Sequence, residues 1–481
     1  MKKRPQRIGG KQPAGAKALH HSAADSARLE PRPDARLPNG RNRLTGRPES
    51  AVGTPSSRLV RIEKPIYGGA FLARLAGKAV FVPLALPGEQ ARVRIVGDKR
   101  DYASAEVEEI VAPSELRVMP HCPHFGACGG CQYQHAKYAA QLSYKQEILR
   151  ETLERGGVCA PEDIAVLAGE PWAYRNRIRL AFDAKGNPGY RSRRSHAVTP
   201  IAECPIAAPL LVRSGIAAAG ILRELRGNLR ASEISLFCDA AETALLVGVT
   251  VAGGGKGRLD DFARALAAPI PELQGVELMA EGHKGQAPRS IAQWGAHSLL
   301  YRAAGVDYRV DQGAFFQVNR WLVDLLVARV TSHVRGDLAW DLFSGVGLFA
   351  RQLAESFGRV VAVESAPASI AALAHNLRGT CGSVVKASAL DFLRRGGTGE
   401  PPDLIVVDPP RTGLGAEVTT LLAEIAAPEL VYVSCDPATL ARDLHALIDA
   451  RFGTNYVIEQ ITLADLFPQT FHLETVVRLR R

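Results

Sequence analysis

The stretch Leu338-Ala-Trp-Asp-Leu-Phe-Ser-Gly-Val-Gly-Leu-Phe-Ala-Arg-Gln-Leu353 decides the fold class. An apolar run (LAWDLF) enters a glycine turn and leaves as LFARQLAESFG, whose apolar residues recur at helical spacing, so a strand feeds a helix. The same unit then repeats: GRVVAVE precedes PASIAALAHNLRG, DLIVVDPP precedes EVTTLLAEIAA, and LVYVSC precedes PATLARDLHALIDA. Strands that are apolar throughout and alternate with helices predict a parallel sheet buried on both faces. The class is α/β, with a doubly wound, Rossmann-like domain over residues 311–481.

Ligands of such sheets sit beyond the carboxyl ends of the strands. After the first strand, Gly345 and Gly347 let backbone approach a ligand. The second strand ends in Glu364, 17 residues after Gly347, where a carboxylate can accept both hydroxyls of a ribose. Either feature alone is weak; together they predict a nucleoside cofactor. A dinucleotide such as NAD stays open, because the third glycine position of its usual loop is Ala350, which that pattern tolerates.

The next two strands end in Asp408-Pro-Pro-Arg411 and Ser434-Cys435-Asp436-Pro437, which the topology points into one cleft. Asp436 is placed as a helix N-cap with Pro437 at the first helical position, so Cys435 falls at the positive end of a helix. That setting predicts a thiol shifted towards thiolate, a nucleophile; an inert core cysteine is the competing reading. Glu474, in Phe467-Pro-Gln-Thr-Phe-His-Leu-Glu474, is a carboxylate in an apolar strand, so burial should raise its pKa and suit it to proton abstraction. His472, two residues away, is the rival base.

Towards the N-terminus the character changes. Residues 1–57 are basic and lack apolar periodicity, which predicts a disordered tail. Residues 58–113 alternate short β runs with turns, which predicts a small antiparallel, OB-like barrel. Residues 114–310 read as a central, mostly β domain. Its segments YRNRIRLAF and GYRSRRSH interleave Arg175, Arg177, Arg179, Arg191, Arg193 and Arg194 with Tyr174 and Tyr190, a pattern suited to phosphate contact and base stacking. Earlier in the same domain lies HCPHFGACGGCQYQH, where Cys122-x5-Cys128-x2-Cys131 is joined after 72 intervening residues by Cys204. Four such thiols can hold an iron-sulfur cluster or a tetrahedral zinc ion.

The balance of 59 Lys+Arg against 49 Asp+Glu, a net charge of +10, favours a polyanionic partner. No apolar run is long enough to cross a membrane, and the basic start carries no apolar block of a secretory signal, so a cytoplasmic protein with no membrane partner is expected. No obligate protein partner is evident.

These residues resemble the RNA 5-methyluridine methyltransferase family, in particular its 23S ribosomal RNA branch with a TRAM barrel and an iron-sulfur cluster. FFQVN (315–319), DLFSGVG, DPPR, SCDPATLARDL and FPQTFHLE occur in the family's order, and the likeness spans about residues 58–481. The resemblance implies that S-adenosyl-L-methionine is the cofactor, that Gln317, Phe343, Glu364 and Asp408 line its site beside Gly345 and Gly347, that Cys435 is the nucleophile and Glu474 the proton acceptor. It also implies that Cys122, Cys128, Cys131 and Cys204 hold a [4Fe-4S] cluster rather than zinc. The partner would be RNA, most naturally 23S ribosomal RNA, with transfer RNA as the alternative and a non-catalytic RNA chaperone as a third. Many relatives carry Asn in place of Asp436, and some carry Asn in place of Leu348, so the contacts of those two side chains are not carried over.

Overall fold

The computed structural model describes residues 57–225, 231–251, 258–282, 288–449 and 456–481. The predicted basic tail lies almost wholly outside them.

Five strands, Arg58–Pro65, Ala70–Leu75, Lys78–Pro83, Gln90–Asp98 and Tyr102–Ala112, close into a barrel. Alternation carries the barrel core: Val60, Ile62, Phe71, Ala73, Val80 and Val82 point in while their neighbours face out. The barrel departs from the expected antiparallel pattern at one seam, where Lys78–Pro83 and Tyr102–Ala112 pair in parallel. Its core is completed from outside by Tyr133, Ala136, Ala140 and Tyr144, so it is packed onto the next segment rather than tethered to it.

A second, seven-stranded sheet follows, whose inner strands are Arg177–Phe182, Ala231–Cys238, Leu245–Val251 and Leu273–Ala280. The sequence reading expects little helix here. The structure covers one face of this sheet with the helices Pro209–Glu224 and Leu259–Ala267, whose apolar sides share a core with the strands.

The third sheet runs in space as Gly382–Lys386, Phe357–Glu364, Gly336–Leu342, Leu404–Val407, Glu429–Ser434, Glu474–Arg480, Val457–Ala464 and Ala165–Leu167. Successive residues of its strands feed two separate cores. Ala339, Val360, Val406 and Val431 enter one; Trp340, Val361, Ile405 and Tyr432 enter the other. Both faces are therefore buried, as the unbroken apolar strands require. Strand order reverses between Gly336–Leu342 and Leu404–Val407, and such a switch point opens a crevice at the strand ends.

The boundary at residue 310 needs correction. The helix Tyr138–Arg155 packs Ile148, Leu149 and Leu153 into the C-terminal core, and Ala165–Leu167 adds an edge strand to the C-terminal sheet. These contacts span some 300 residues of chain, beyond the reach of a periodicity argument. Among the described residues no helix is long and apolar enough to cross a membrane.

Candidate active site

The strands Glu429–Ser434 and Glu474–Arg480 meet antiparallel, with Glu429 opposite Arg480 and the ladder running to Ser434 opposite Thr475. Cys435 and Glu474 follow directly at that end of the ladder, and the charge of Glu474 acts on the Cys435 thiol. Two motifs 39 residues apart in the chain thus become neighbours by strand register alone. Glu474 is 4% exposed, and burial, reinforced by the charge of Asp408, pushes its carboxyl well above the usual range. The expectation of a raised carboxylate holds.

The helix Pro437–Ile448 starts as read: Asp436 Oδ1 accepts the N–H groups of Ala438 and Thr439, both at 3.0 Å. The predicted consequence for the thiol does not follow. Cys435 is pushed up, first by burial and then by the carboxylates of Glu474 and Asp408, with Arg411 opposing. A helix terminus contributes about 0.3–1 kcal/mol, under one pKa unit, and that cannot offset desolvation plus two neighbouring acids.

A wider group of acids surrounds this pair. Asp408 is pushed up to about 7 by burial. Asp341, fully buried in the first strand, rises to about 8 through burial and the nearby charges of Asp408 and Glu364, although its Oδ2 accepts the Ala350 N–H at 2.9 Å. Its Oδ1 has no partner. Glu364 is oriented by three backbone donors, Gly345 at 2.8 Å and Ser365 and Ala366 at 2.6 Å, which fix it against the glycine turn. Gly347 has φ +88°, and a Cβ there would come within 2.7 Å of Leu373. Phe343, beside this turn, also sits at positive φ.

The remaining predicted residues separate. Gln317 is buried, and its carbonyl accepts from Asn176 at 2.9 Å, but no side-chain bond draws it to the acids. Asn319 makes the link from that stretch, donating to the Leu466 carbonyl at 3.2 Å. His472 is held neutral by burial and by Arg411, whose guanidinium lies 3.2 Å from Nδ1. With that nitrogen engaged, the rival base is disfavoured relative to Glu474.

The loop before Glu474 is heavily anchored. Lys145 and Asp465 form a fully buried ion pair at 2.5 Å, and Lys145 also donates to the Phe467 carbonyl. Gln141 exchanges two bonds with Gln469, and the N–H groups of Gln132 and Tyr133 both donate to the Gln469 carbonyl. The segment just after Cys131 therefore holds the loop that carries Glu474.

Cys131, Cys128 and Cys122 each feel the charge of Cys204, and burial pushes all three thiols up, Cys128 to about 11. Among the described residues no three metal-ligating side chains converge closely enough to hold one ion. The guanidinium of Arg175 lies beside Cys131 and 5.8 Å from the Phe467 ring, with its Nε shut off from water and unpartnered.

Comparison with known proteins decides the family. A profile described as tRNA (Uracil-5-)-methyltransferase matches residues 402–481, and a TRAM domain profile matches residues 56–107. A protein of Azoarcus sp. (strain BH72) named 23S rRNA (uracil(1939)-C(5))-methyltransferase RlmD is 33% identical over 444 residues, 87% of this chain and 99% of the relative. The chain belongs to the RNA uracil-C5 methyltransferase family. An uncharacterized RNA methyltransferase of Streptomyces avermitilis is 34% identical over 447 residues, 87% of this chain and 97% of the other. The crystal structure of Pyrococcus abyssi tRNA (uracil-54, C5)-methyltransferase with S-adenosyl-L-homocysteine shares the fold, with a TM-score of 0.71 at 24% identity over 88% of this chain and all of that one.

In this methyltransferase the sequence reading misses three side chains at the site: Asp341, Arg175 and Tyr67. Asp341 begins the quoted glycine motif and carries a visible signal, a carboxylate in the middle of an apolar strand. Arg175 reads from sequence as a phosphate contact, but its guanidinium lies by the Tyr174 and Phe467 rings, near enough to Cys131 for its charge to act on that thiol. Tyr67 reaches the site from the barrel, and nothing local marks it.

Proposed function

We propose that this enzyme methylates carbon 5 of a uridine in 23S ribosomal RNA through a transient bond between Cys435 and carbon 6 of the ring. The observation that carries the reading is the register-enforced pairing of Cys435 with Glu474 beside Asp408. S-adenosyl-L-methionine, when bound, supplies an electrophilic methyl group. Gln317, Phe343, Gly345, Gly347, Glu364 and Asp408 would line its site. The fit rests on the oriented Glu364 carboxylate, suited to a ribose, and on the buried unpartnered oxygen of Asp341 beside the glycine turn.

Carbon 5 of uracil is a weak nucleophile. The Cys435 thiol yields its proton to the neighbouring carboxylates, of which Asp408 titrates near neutrality, and the sulfur adds to carbon 6. The ring electrons move to an enolate, and carbon 5 then takes the methyl group. Glu474 removes the carbon 5 proton, the carbon 5 to carbon 6 double bond re-forms, and the thiolate leaves. Chemistry on a stacked base requires that the uridine be flipped into the cleft.

Cys122, Cys128, Cys131 and Cys204 would hold a [4Fe-4S] cluster that ties the cysteine loop to the central domain. Cys204 influences each of the other three thiols, which supports one shared site for the four sulfurs. Arg175 would answer the cluster's negative charge. The working division is a barrel (58–113), a central RNA-binding domain (114–310, less the helix and strand given to the last sheet) and a methyltransferase domain (311–481), acting on RNA in the cytoplasm. A transfer RNA target is the second reading, supported by the tRNA (Uracil-5-)-methyltransferase profile over residues 402–481.

Mapping 5-methyluridine in both RNAs of a deletion strain tests the proposal. One 23S position should lose its methyl group and regain it with the wild-type gene but not with Cys435→Ala. A ribosome unchanged by the deletion overturns it.

A further inference from the structure

The turn joining the first two barrel strands is Ile66-Tyr67-Gly68-Gly69. It is closed by the Ile66 N–H donating to the Ala70 carbonyl at 3.1 Å. Both glycines have positive φ, and a Cβ on Gly69 would lie 2.6 Å from Cγ of Gln132. The turn is thus pressed against the residue that follows Cys131. Gln132 in turn accepts the Phe471 N–H through Oε1 at 3.3 Å. The packing delivers Tyr67 into the site described above. Its phenol donates to Asp436 Oδ2 at 3.3 Å, and its ring meets Phe471 edge-on at 5.6 Å.

Asp436 is the residue immediately after Cys435. Oδ1 caps the helix, Oδ2 receives Tyr67, and with both oxygens engaged the carboxylate cannot rotate without breaking bonds. The residue that follows Cys435 is thus held by the helix on one oxygen and by the barrel on the other.

We propose that Tyr67 is a positioning residue for the nucleophile: the barrel, through this phenol, sets the direction of Cys435 and is part of the catalytic chamber as well as an RNA-holding module. The inference rests on Cys435 being the nucleophile.

The test uses the full-length enzyme, an RNA fragment carrying the target uridine, and its 5-fluorouridine counterpart, which traps the covalent adduct. Tyr67→Phe removes the hydrogen bond and keeps the ring. The loss of that restraint on Asp436 should lower kcat and the rate of adduct formation about 10- to 100-fold, with KM for RNA little changed. Asp436→Ser keeps a helix cap but loses the second oxygen, and in that background Tyr67→Phe should change kcat by less than about 2-fold. A Tyr67→Phe enzyme that matches wild type, one that loses only KM, or one that loses as much in the Asp436→Ser background overturns the positioning role. A wild-type enzyme that forms no adduct overturns the covalent reading beneath it as well.

Discussion

Cys435 and Cys131 are the same side chain placed among different neighbours. Both thiols are pushed up by burial and each has one guanidinium opposing, Arg411 or Arg175, yet the acids around Cys435 are the carboxylates of Glu474 and Asp408, whereas those around Cys131 are other thiols. A nucleophile that must bond carbon and then leave needs a proton that can move, and carboxyls raised above their usual range, Asp408 to about 7, supply acceptors and donors for it. Thiols that hold a metal must lose their protons for good, and there a fixed cation helps while a nearby carboxylate would hinder. Burial alone therefore says little about a cysteine's task; the charges placed around it say more.

The comparison breaks most sharply at Glu474. Glu474→Gln keeps the shape of the side chain and removes the proton acceptor, so steady-state methylation should fall about 10²- to 10⁴-fold, the usual worth of a general base. Addition and methyl transfer precede that step. The variant should therefore accumulate a covalent, methylated RNA–enzyme species that survives denaturing electrophoresis. If activity falls without the trapped species, Glu474 acts before the adduct forms and the assignment of its step is wrong.

On the other side, Arg175→Met removes the cation beside Cys131 and leaves the four thiols in place. Outer-shell partners of metal ligands are worth about 10- to 100-fold in affinity, so if the four thiols hold the proposed cluster the variant should release it to a chelator correspondingly faster. Iron and sulfide content, read before and after chelator challenge, gives the answer independently of methylation. Equal retention in the two proteins would reduce Arg175 to a packing residue against Phe467.

How much of this was legible beforehand follows from how far each signal travels along the chain. The doubly wound class could be read because the apolar run and the helix after it are contiguous in each unit, and Cys435 and Glu474 could be named because each sits in its own short motif. The thiol's ionisation was misread since the helix cap is a local feature while the acids opposing it arrive from other strands. Tyr67 lies 369 residues from Asp436, and the helix Tyr138–Arg155 docks on a sheet that begins far downstream; neither contact leaves a periodic trace. The tie between Gln132 and the Glu474 loop is hidden for the same reason.

The remaining effect is on stability rather than turnover and concerns Asp341, a buried acid in the group around Cys435. Its folded pKa of about 8 lies above the unfolded value of about 3.9, so the folded state holds a proton that the unfolded chain has lost between those limits. That contribution to stability is complete below about pH 4 and is lost as pH rises towards 8, at up to about 1.4 kcal/mol per pH unit. Asp341→Asn mimics the protonated acid and can still accept the Ala350 N–H. Stability measured by urea unfolding should match wild type near pH 4 and decline less steeply up to pH 8. Parallel slopes would mean that Asp341 is ionised in the folded protein, and that the acids around Cys435 share less charge than their burial implies.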